Sequence, residues 1–166
     1  IDLVAAKQRN ITVCNVRDYA SAAVSQHVFS LLLTLVSHLG DYTQAVRTGR
    51  WQESKVFCLL DYPIRELDSM TLGIIGYGNL GRRVEQIALG FGMQVAVCAR
   101  PGSEAIPDGR ITFDELLKNS DVISLHCPLS DATHNLIGRT QLEKMKSTAI
   151  LINTARGGIV NENDLA

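Results

Sequence analysis

From residue 71 onward the chain alternates between two rhythms. Thr71-Leu72-Gly73-Ile74-Ile75, Gln94-Val95-Ala96-Val97-Cys98, Asp121-Val122-Ile123-Ser124-Leu125 and Thr148-Ala149-Ile150-Leu151-Ile152 are short apolar runs without polar alternation. Runs of this kind predict strands buried on both faces. Between them, Leu80, Val84, Ile87 and Ala88 recur at helical spacing. Thr112-Phe113-Asp114-Glu115 and Thr140-Gln141-Leu142-Glu143 each read as a capping box that opens a helix. Strands and helices in alternation predict an α/β fold: a doubly wound, Rossmann-type parallel sheet covered on both faces. No repeat and no linker interrupts residues 69–166.

Upstream the pattern is different. Asp2 to Arg9 predicts a short helix and Ile11-Thr12-Val13-Cys14 a brief strand. From Ser21, the positions Val24, Val28, Leu31, Leu32, Leu35, Val36 and Leu39 predict one long helix with a broad apolar face, ended near Gly40. That face makes a symmetric homodimer of the complete protein an expectation. Residues 41–68 read as irregular, with Trp51, Phe57, Tyr62 and Pro63 expected to pack over a surface. The apolar stretch from Val28 to Val36, interrupted by Ser30 and Thr34, is too short to span a bilayer.

Length and charge narrow the function classes. A chain of 166 residues has the size of one domain, since domains run to roughly 100–200 residues. Its 46% hydrophobic and 20% charged composition is that of a globular protein and excludes low-complexity or collagen-like architectures. With 16 basic and 17 acidic residues the net charge is −1, so no global field draws the chain to nucleic acid or anionic lipid. Cys14, Cys58, Cys98 and Cys127 form no C-x-x-C pair, and His27, His38, His126 and His134 lack zinc spacing. Dispersed cysteines of this kind fit a reduced, cytoplasmic compartment. Ile1 as first residue, and a helix only beginning at Asn163-Asp164-Leu165-Ala166, predict a piece of a longer protein.

The motif with most chemistry is Gly76-Tyr77-Gly78-Asn79-Leu80-Gly81, placed directly after a predicted strand and at the start of a predicted helix. There Gly76 permits the tight turn, Gly78 leaves room for a pyrophosphate, and Gly81 lets the helix approach the sheet. The free N–H groups of the helix N-terminus then face the phosphates. The bland alternative is a glycine turn used only for packing.

A ribose-binding carboxylate is expected about 20 residues after the motif. Ala99 stands 18 residues beyond Gly81, followed by Arg100-Pro101-Gly102. A guanidinium without a carboxylate leans toward the 2′-phosphate of NADP; the alternative is that Arg100 stacks beside the adenine and NAD binds. Glu104 lies too far along the loop to substitute.

The third and fourth runs end in His126-Cys127-Pro128-Leu129 and Asn153-Thr154-Ala155-Arg156-Gly157-Gly158. Ligands of open parallel sheets collect outside these strand ends. Arg156 fits a bidentate grip on a substrate carboxylate and polarisation of the adjacent carbonyl, or else a salt-bridging loop arginine. His126 is read as orienting its loop beside the cofactor rather than as a general base. Thr133, near His134, is a candidate contact to a nicotinamide-side phosphate or ribose. His27 and His38 read as structural, and no base stands near Cys98 or Cys127 to activate either thiol.

The string Gly73-Ile74-Ile75-Gly76-Tyr77-Gly78-Asn79-Leu80-Gly81, the His126-Cys127-Pro128-Leu129 turn and Asn153-Thr154-Ala155-Arg156-Gly157-Gly158 together resemble the D-isomer-specific 2-hydroxyacid dehydrogenases. The upstream Val13-Cys14-Asn15-Val16 and Val24 to Leu33 are similar to that family's entry into its nucleotide domain. The Trp51 to Leu67 segment resembles the glycerate dehydrogenase or hydroxypyruvate reductase branch.

The resemblance implies a two-lobed enzyme that reduces 2-oxo acids with NAD or NADP. Residues 1–16 would be the tail of the substrate lobe, and 17–166 the nucleotide-binding domain, truncated at its C-terminal end. Arg156 matches the substrate-carboxylate arginine. Asn79, Leu80, Ala99, Arg100, Cys127, Pro128, Thr154, Ala155 and Arg156 match cofactor contacts. Ala99 departs from a common aspartate, which weakens the case for NAD. The family's acid/base histidine and supporting glutamate lie downstream of Ala166, so the fragment alone is expected to be inactive.

Two other readings compete with this one. A cofactor-sensing corepressor-like module uses the same fold, and an adenosylhomocysteine-type or methyltransferase enzyme shares the glycine turn but leaves Arg156 and its two glycines unexplained.

Overall fold

The computed structural model describes residues 1–16, 18–103 and 105–166; Arg17 and Glu104, the latter considered above as a ribose ligand, lie outside the described residues. Four apolar runs become four parallel strands: β1 (Thr71–Ile75), β2 (Gln94–Val97), β3 (Val122–Leu125) and β4 (Ile150–Asn153). They assemble in the order β2-β1-β3-β4. This reversal of direction on either side of β1 is the hallmark of the doubly wound sheet. The register brings the strands to a common finishing line, with Ile75 beside Leu125 and Leu125 beside Asn153. The residues that follow, Gly76, His126 and Thr154, therefore emerge side by side at the carboxyl edge.

Two apolar layers hold the helices on opposite faces. On one, Val28, Phe29, Leu32 and Val36 of α2 (Ser21–Val36) pack with Val84 and Ala88 of α5 (Asn79–Gly90) against Leu72, Ile74 and Val122. On the other, Leu116 and Leu117 of α6 (Phe113–Asn119) meet Ile75, Ile123 and Leu125, joined by Ile137, Ile159 and Val160. Full burial of such side chains contributes roughly 1.5–3 kcal/mol each. The helix α6 starts where Thr112 predicted it: Glu115 N donates to Thr112 Oγ1 (3.1 Å) and Thr112 N to Glu115 Oε2 (2.9 Å).

Several expectations need correction. The second capping box lies two residues earlier. Gly138 caps α7 (Arg139–Leu142), and its N–H donates to Gln141 Oε1 at 3.2 Å, which leaves Thr140 inside the helix. The long helix stops at Val36, not near Gly40. Ser37 N and Ser37 Oγ both donate to the Leu33 carbonyl, and His38 takes a left-handed conformation at φ 49°. A left-handed residue just past the C-cap is a common helix stop. The chain then bends by 61° into α3 (Leu39–Arg47), with Gly40 in its first turn.

Residues 41–68 are consequently not wholly irregular, since they hold most of α3 and also α4 (Arg50–Glu53). Tyr62 does pack, stacked with His38 and edge-on to Tyr42, whereas Phe57 projects outward at 97% exposure. The segment Ile11–Cys14 follows the short α1 (Leu3–Gln8) but pairs with no strand among the described residues. A strand needs a partner for its backbone groups, and its apolar content alone was insufficient to create one. Among the described residues no single helix is long and apolar enough to cross a membrane.

Candidate functional site

The glycine turn joins β1 to α5, and each glycine is fixed by a different constraint. Gly76 has φ 97°, and a Cβ there would lie 2.4 Å from Cys127 N and 2.5 Å from His126 C. The turn therefore presses directly on the backbone that leaves β3. A Cβ on Gly81 would sit 2.4 Å from the Gly76 carbonyl oxygen, so helix and turn are in backbone contact. At Gly78 a Cβ would meet nothing within 4 Å. Steric crowding thus requires glycine at 76 and 81, while 78 faces open space. No side chain caps the N-terminus of α5, and its first turn carries no acidic residue. Its leading N–H groups remain available to an anion.

Beside this turn a cleft of about 460 Å³ opens at the ends of β1, β2 and β3. Gly76, Ala99, Arg100, Cys127, Pro128 and Thr133 line it, six of the residues singled out in the sequence. Asn79, Leu80 and Gly81 form the first turn of α5, capped by Gly78. Thr133 is engaged within its own loop: its Oγ1 accepts from Ser130 N (2.8 Å) and donates to the Pro128 carbonyl (2.6 Å). Thr154, Ala155 and Arg156 follow β4 on the same carboxyl edge but lie outside the lining of this cleft.

The loop after β4 is bracketed by Asn153, which sequence reading did not single out as a functional side chain. Asn153 Oδ1 accepts from Ala155 N (3.1 Å), and its Nδ2 donates to the Arg156 carbonyl (2.9 Å). Arg156 is exposed, and its Nη1 donates to the Ala155 carbonyl at 2.7 Å. Also missed were Tyr77 and Arg110, which both line the cleft. Tyr77 carried a signal as the first variable residue of the glycine motif, whereas Arg110 lay in an unremarkable loop.

Polar groups at the strand ends are unevenly satisfied. His126 Nε2 pairs with Ser124 Oγ at 2.9 Å, but its Nδ1 and Thr154 Oγ1 are buried without hydrogen-bond partners. Burial pushes the His126 pKa down to about 4, so the ring is neutral at physiological pH. That state suits positioning better than proton donation from a charged imidazole. Burial raises the Cys127 thiol, and raises Cys98 to about 11. Both thiols are therefore held in the protonated form at neutral pH, which does not favour nucleophilic attack. The hydrogen bond to Glu85 holds the Tyr77 phenol above its usual range. Among the described residues no three His, Cys, Asp or Glu side chains gather as a metal site.

These features fit a dinucleotide. The Cβ-free opening at Gly78, the uncapped α5 N-terminus and two orphaned buried polar atoms at neighbouring strand ends match a ligand with a diphosphate and several polar groups. The strand order and the glycine turn at the reversal point define a Rossmann-type nucleotide-binding domain.

The NAD-binding domain model of the D-isomer specific 2-hydroxyacid dehydrogenases matches residues 29–166, and the chain belongs to that family. It is 47% identical over 163 residues to a glycerate dehydrogenase of Methylorubrum extorquens, covering 98% of this chain and 50% of that protein. It is 38% identical over 168 residues to a hydroxypyruvate reductase of Blautia hydrogenotrophica, covering 99% and 52%. The chain spans about half the length of the curated relatives it matches.

Among solved structures, the TT0316 protein of Thermus thermophilus superposes with a TM-score of 0.87 at 36% identity, covering 99% of this chain and 52% of that one. A D-lactate dehydrogenase of Aquifex aeolicus, complexed with NAD and lactic acid, gives 0.80 at 35% identity and 99% and 49% coverage. An acyclic imino acid reductase in complex with NADPH and D-Arg gives 0.84 at 32% identity and 99% and 52% coverage. A nicotinamide dinucleotide is thus the cofactor class of the family.

Proposed function

We propose that this chain is the nucleotide-binding half of an NAD(P)-dependent oxidoreductase that reduces a small 2-oxo acid, of the hydroxypyruvate or glyoxylate type, to a D-2-hydroxy acid. The observation that carries this reading is the reversal-point cleft, lined by Gly76 and Tyr77 of the glycine turn, by Ala99-Arg100 and by Cys127-Pro128. The glycerate dehydrogenase and hydroxypyruvate reductase names of its relatives support the substrate class. When bound, the dinucleotide supplies the hydride.

The chain's own residues bind and orient. The first N–H groups of α5 and the open side of Gly78 receive the diphosphate. Arg100 lines the cleft with no carboxylate among its described lining residues, which favours NADP over NAD. Arg156 holds the substrate carboxylate, on a loop that Asn153 brackets. The proton donor is not among these residues, since neutral His126 is buried and engaged with Ser124.

Residues 1–16 are read as the tail of the substrate lobe. Val28, Leu32 and Val36 of the apolar face of α2 are buried, and the exposed Leu31 and Leu35 beside them are read as part of a homodimer surface in the complete protein. The test is reduction of hydroxypyruvate and glyoxylate by the full-length protein with NADPH and NADH, followed by cofactor oxidation. Turnover by the full-length protein and none by residues 1–166 is expected. No turnover of any small 2-oxo acid by the former, or turnover by the latter, overturns the reading.

A further inference from the structure

Arg110 is held on the cleft wall by three independent contacts. Gly109 takes φ 72°, and Arg110 N donates to the Pro107 carbonyl at 3.1 Å, which closes a turn immediately before it. The residue after it is zipped to the end of β2: Ile111 N donates to Val97 O (3.0 Å) and Ala99 N to Ile111 O (2.8 Å). Its guanidinium carbon lies 4.1 Å from the centroid of the Tyr77 ring. Tyr77 belongs to the glycine turn, and its hydroxyl donates to Glu85 of α5. The ring that carries Arg110 is therefore itself anchored.

A guanidinium stacked on an aromatic face keeps its N–H donors in the plane of the group, directed away from the ring. Arg110 can thus stack and donate at once. Arg100 lines the same cleft, one residue beyond Ala99. Among the described residues neither guanidinium has a carboxylate within 4.0 Å, and no carboxylate lines the cleft. Two cations of this kind beside the end of β2 stand where a bound dinucleotide places its adenosine ribose.

We infer that Arg110 is a specificity-determining residue which, with Arg100, grips a phosphate monoester on that ribose, and that Tyr77 positions it. The inference rests on the nucleotide reading above and deepens it. It makes the 2′-phosphorylated dinucleotide the preferred ligand through two arginines from separate segments of the chain. A phosphate monoester carries about −1.5 to −2 charge at neutral pH and three acceptor oxygens, enough to engage both forks.

The experiment is calorimetric titration of the full-length protein with 2′-phospho-ADP-ribose and with ADP-ribose, repeated for Arg110→Met and Arg110→Lys. Charge-assisted hydrogen bonds of this type change affinity by about ten-fold or more when lost. Unmodified protein is expected to prefer the 2′-phosphorylated probe. Arg110→Met is expected to weaken that probe at least ten-fold and to change ADP-ribose less than two-fold, by the same charge argument. Arg110→Lys keeps the charge and the fold while losing the planar fork, so an intermediate loss confined to the same probe is expected.

Equal weakening of both probes by Arg110→Met makes Arg110 a stacking platform for the adenine and overturns the inference. Equal affinity of the unmodified protein for both probes also overturns it, with nucleotide binding intact. Binding of neither probe removes the nucleotide reading itself.

Discussion

Gly81 of α5 lies against the carbonyl of Gly76, so closely that a Cβ at position 81 would stand 2.4 Å from that oxygen. The two glycines form one joint, and the third glycine of the motif, Gly78, has no such neighbour.

Substitution should therefore separate stability from binding. Gly81→Ala forces the turn or the helix to move, and overpacking of this kind costs about 1–3 kcal/mol, more than the roughly 1 kcal/mol gained in helix propensity. Gly78→Ala meets no atom and has φ −85°, which any residue tolerates. Its fold should be at least as stable as the unmodified protein, while dinucleotide affinity falls by roughly a hundred-fold because the methyl fills the phosphate approach. Urea unfolding read alongside dinucleotide titration distinguishes the two. A Gly78→Ala protein that binds normally would remove the phosphate from that opening.

His126 makes stability depend on pH. Its pKa falls from the ordinary 6.5 to about 4 through burial. Above pH 6.5 the ring is neutral in both folded and unfolded states. Below that value the unfolded chain takes up a proton that the folded chain refuses until about pH 4. Stability is thus lost as pH falls through this window, by about 3 kcal/mol in total. The difference in unfolding free energy between unmodified protein and His126→Gln, followed from about pH 7 to about pH 4, should shrink by that amount. A constant difference would mean that the ring titrates normally in the fold.

Thiol labelling should follow exposure and charge state. Cys14 is exposed, whereas Cys98 is buried with a pKa near 11 and Cys127 is buried with its pKa also raised. Brief alkylation at neutral pH, mapped by mass spectrometry, is expected to modify Cys14 and spare Cys98 and Cys127. Rapid loss of either buried thiol would show that the cleft opens far more readily than its packing indicates.

Asn153 is expected to act through the backbone it brackets. Asn153→Ala removes two hydrogen bonds, to Ala155 N and to the Arg156 carbonyl, of about 1 kcal/mol each. In the reaction proposed above for the full-length protein, KM for the 2-oxo acid should rise roughly ten-fold, with a smaller change in kcat. An unchanged KM would uncouple this loop from substrate.

The sheet was legible because buried parallel strands leave continuous apolar runs, and Ile74, Ile123 and Ile152 each fell in one. The Thr112 box was legible because both of its partners are local. Thr140 misled because Gly138, which has no side chain to announce itself, supplies the backbone N–H that Gln141 accepts. The end of α2 was hidden for a related reason: Ser37 and His38 stop it through local conformation, and Gly40 gave a louder but irrelevant signal. Arg110 was invisible because its relation to Tyr77 spans 33 positions and depends on a turn at Gly109 and on pairing of Ile111 with the end of β2.

The press of Gly76 against the His126–Cys127 peptide has a mechanical consequence. Two sides of the crevice, the β1 turn and the β3 exit, behave as a single fixed jaw, because neither can shift without the other. Arg110 is coupled to that same jaw, since its guanidinium lies over Tyr77 of the β1 turn while Ile111 ties it to the end of β2. A guest molecule therefore meets a wall that is already set, and discrimination among guests falls to what each presents to the two guanidinium forks rather than to a closing movement.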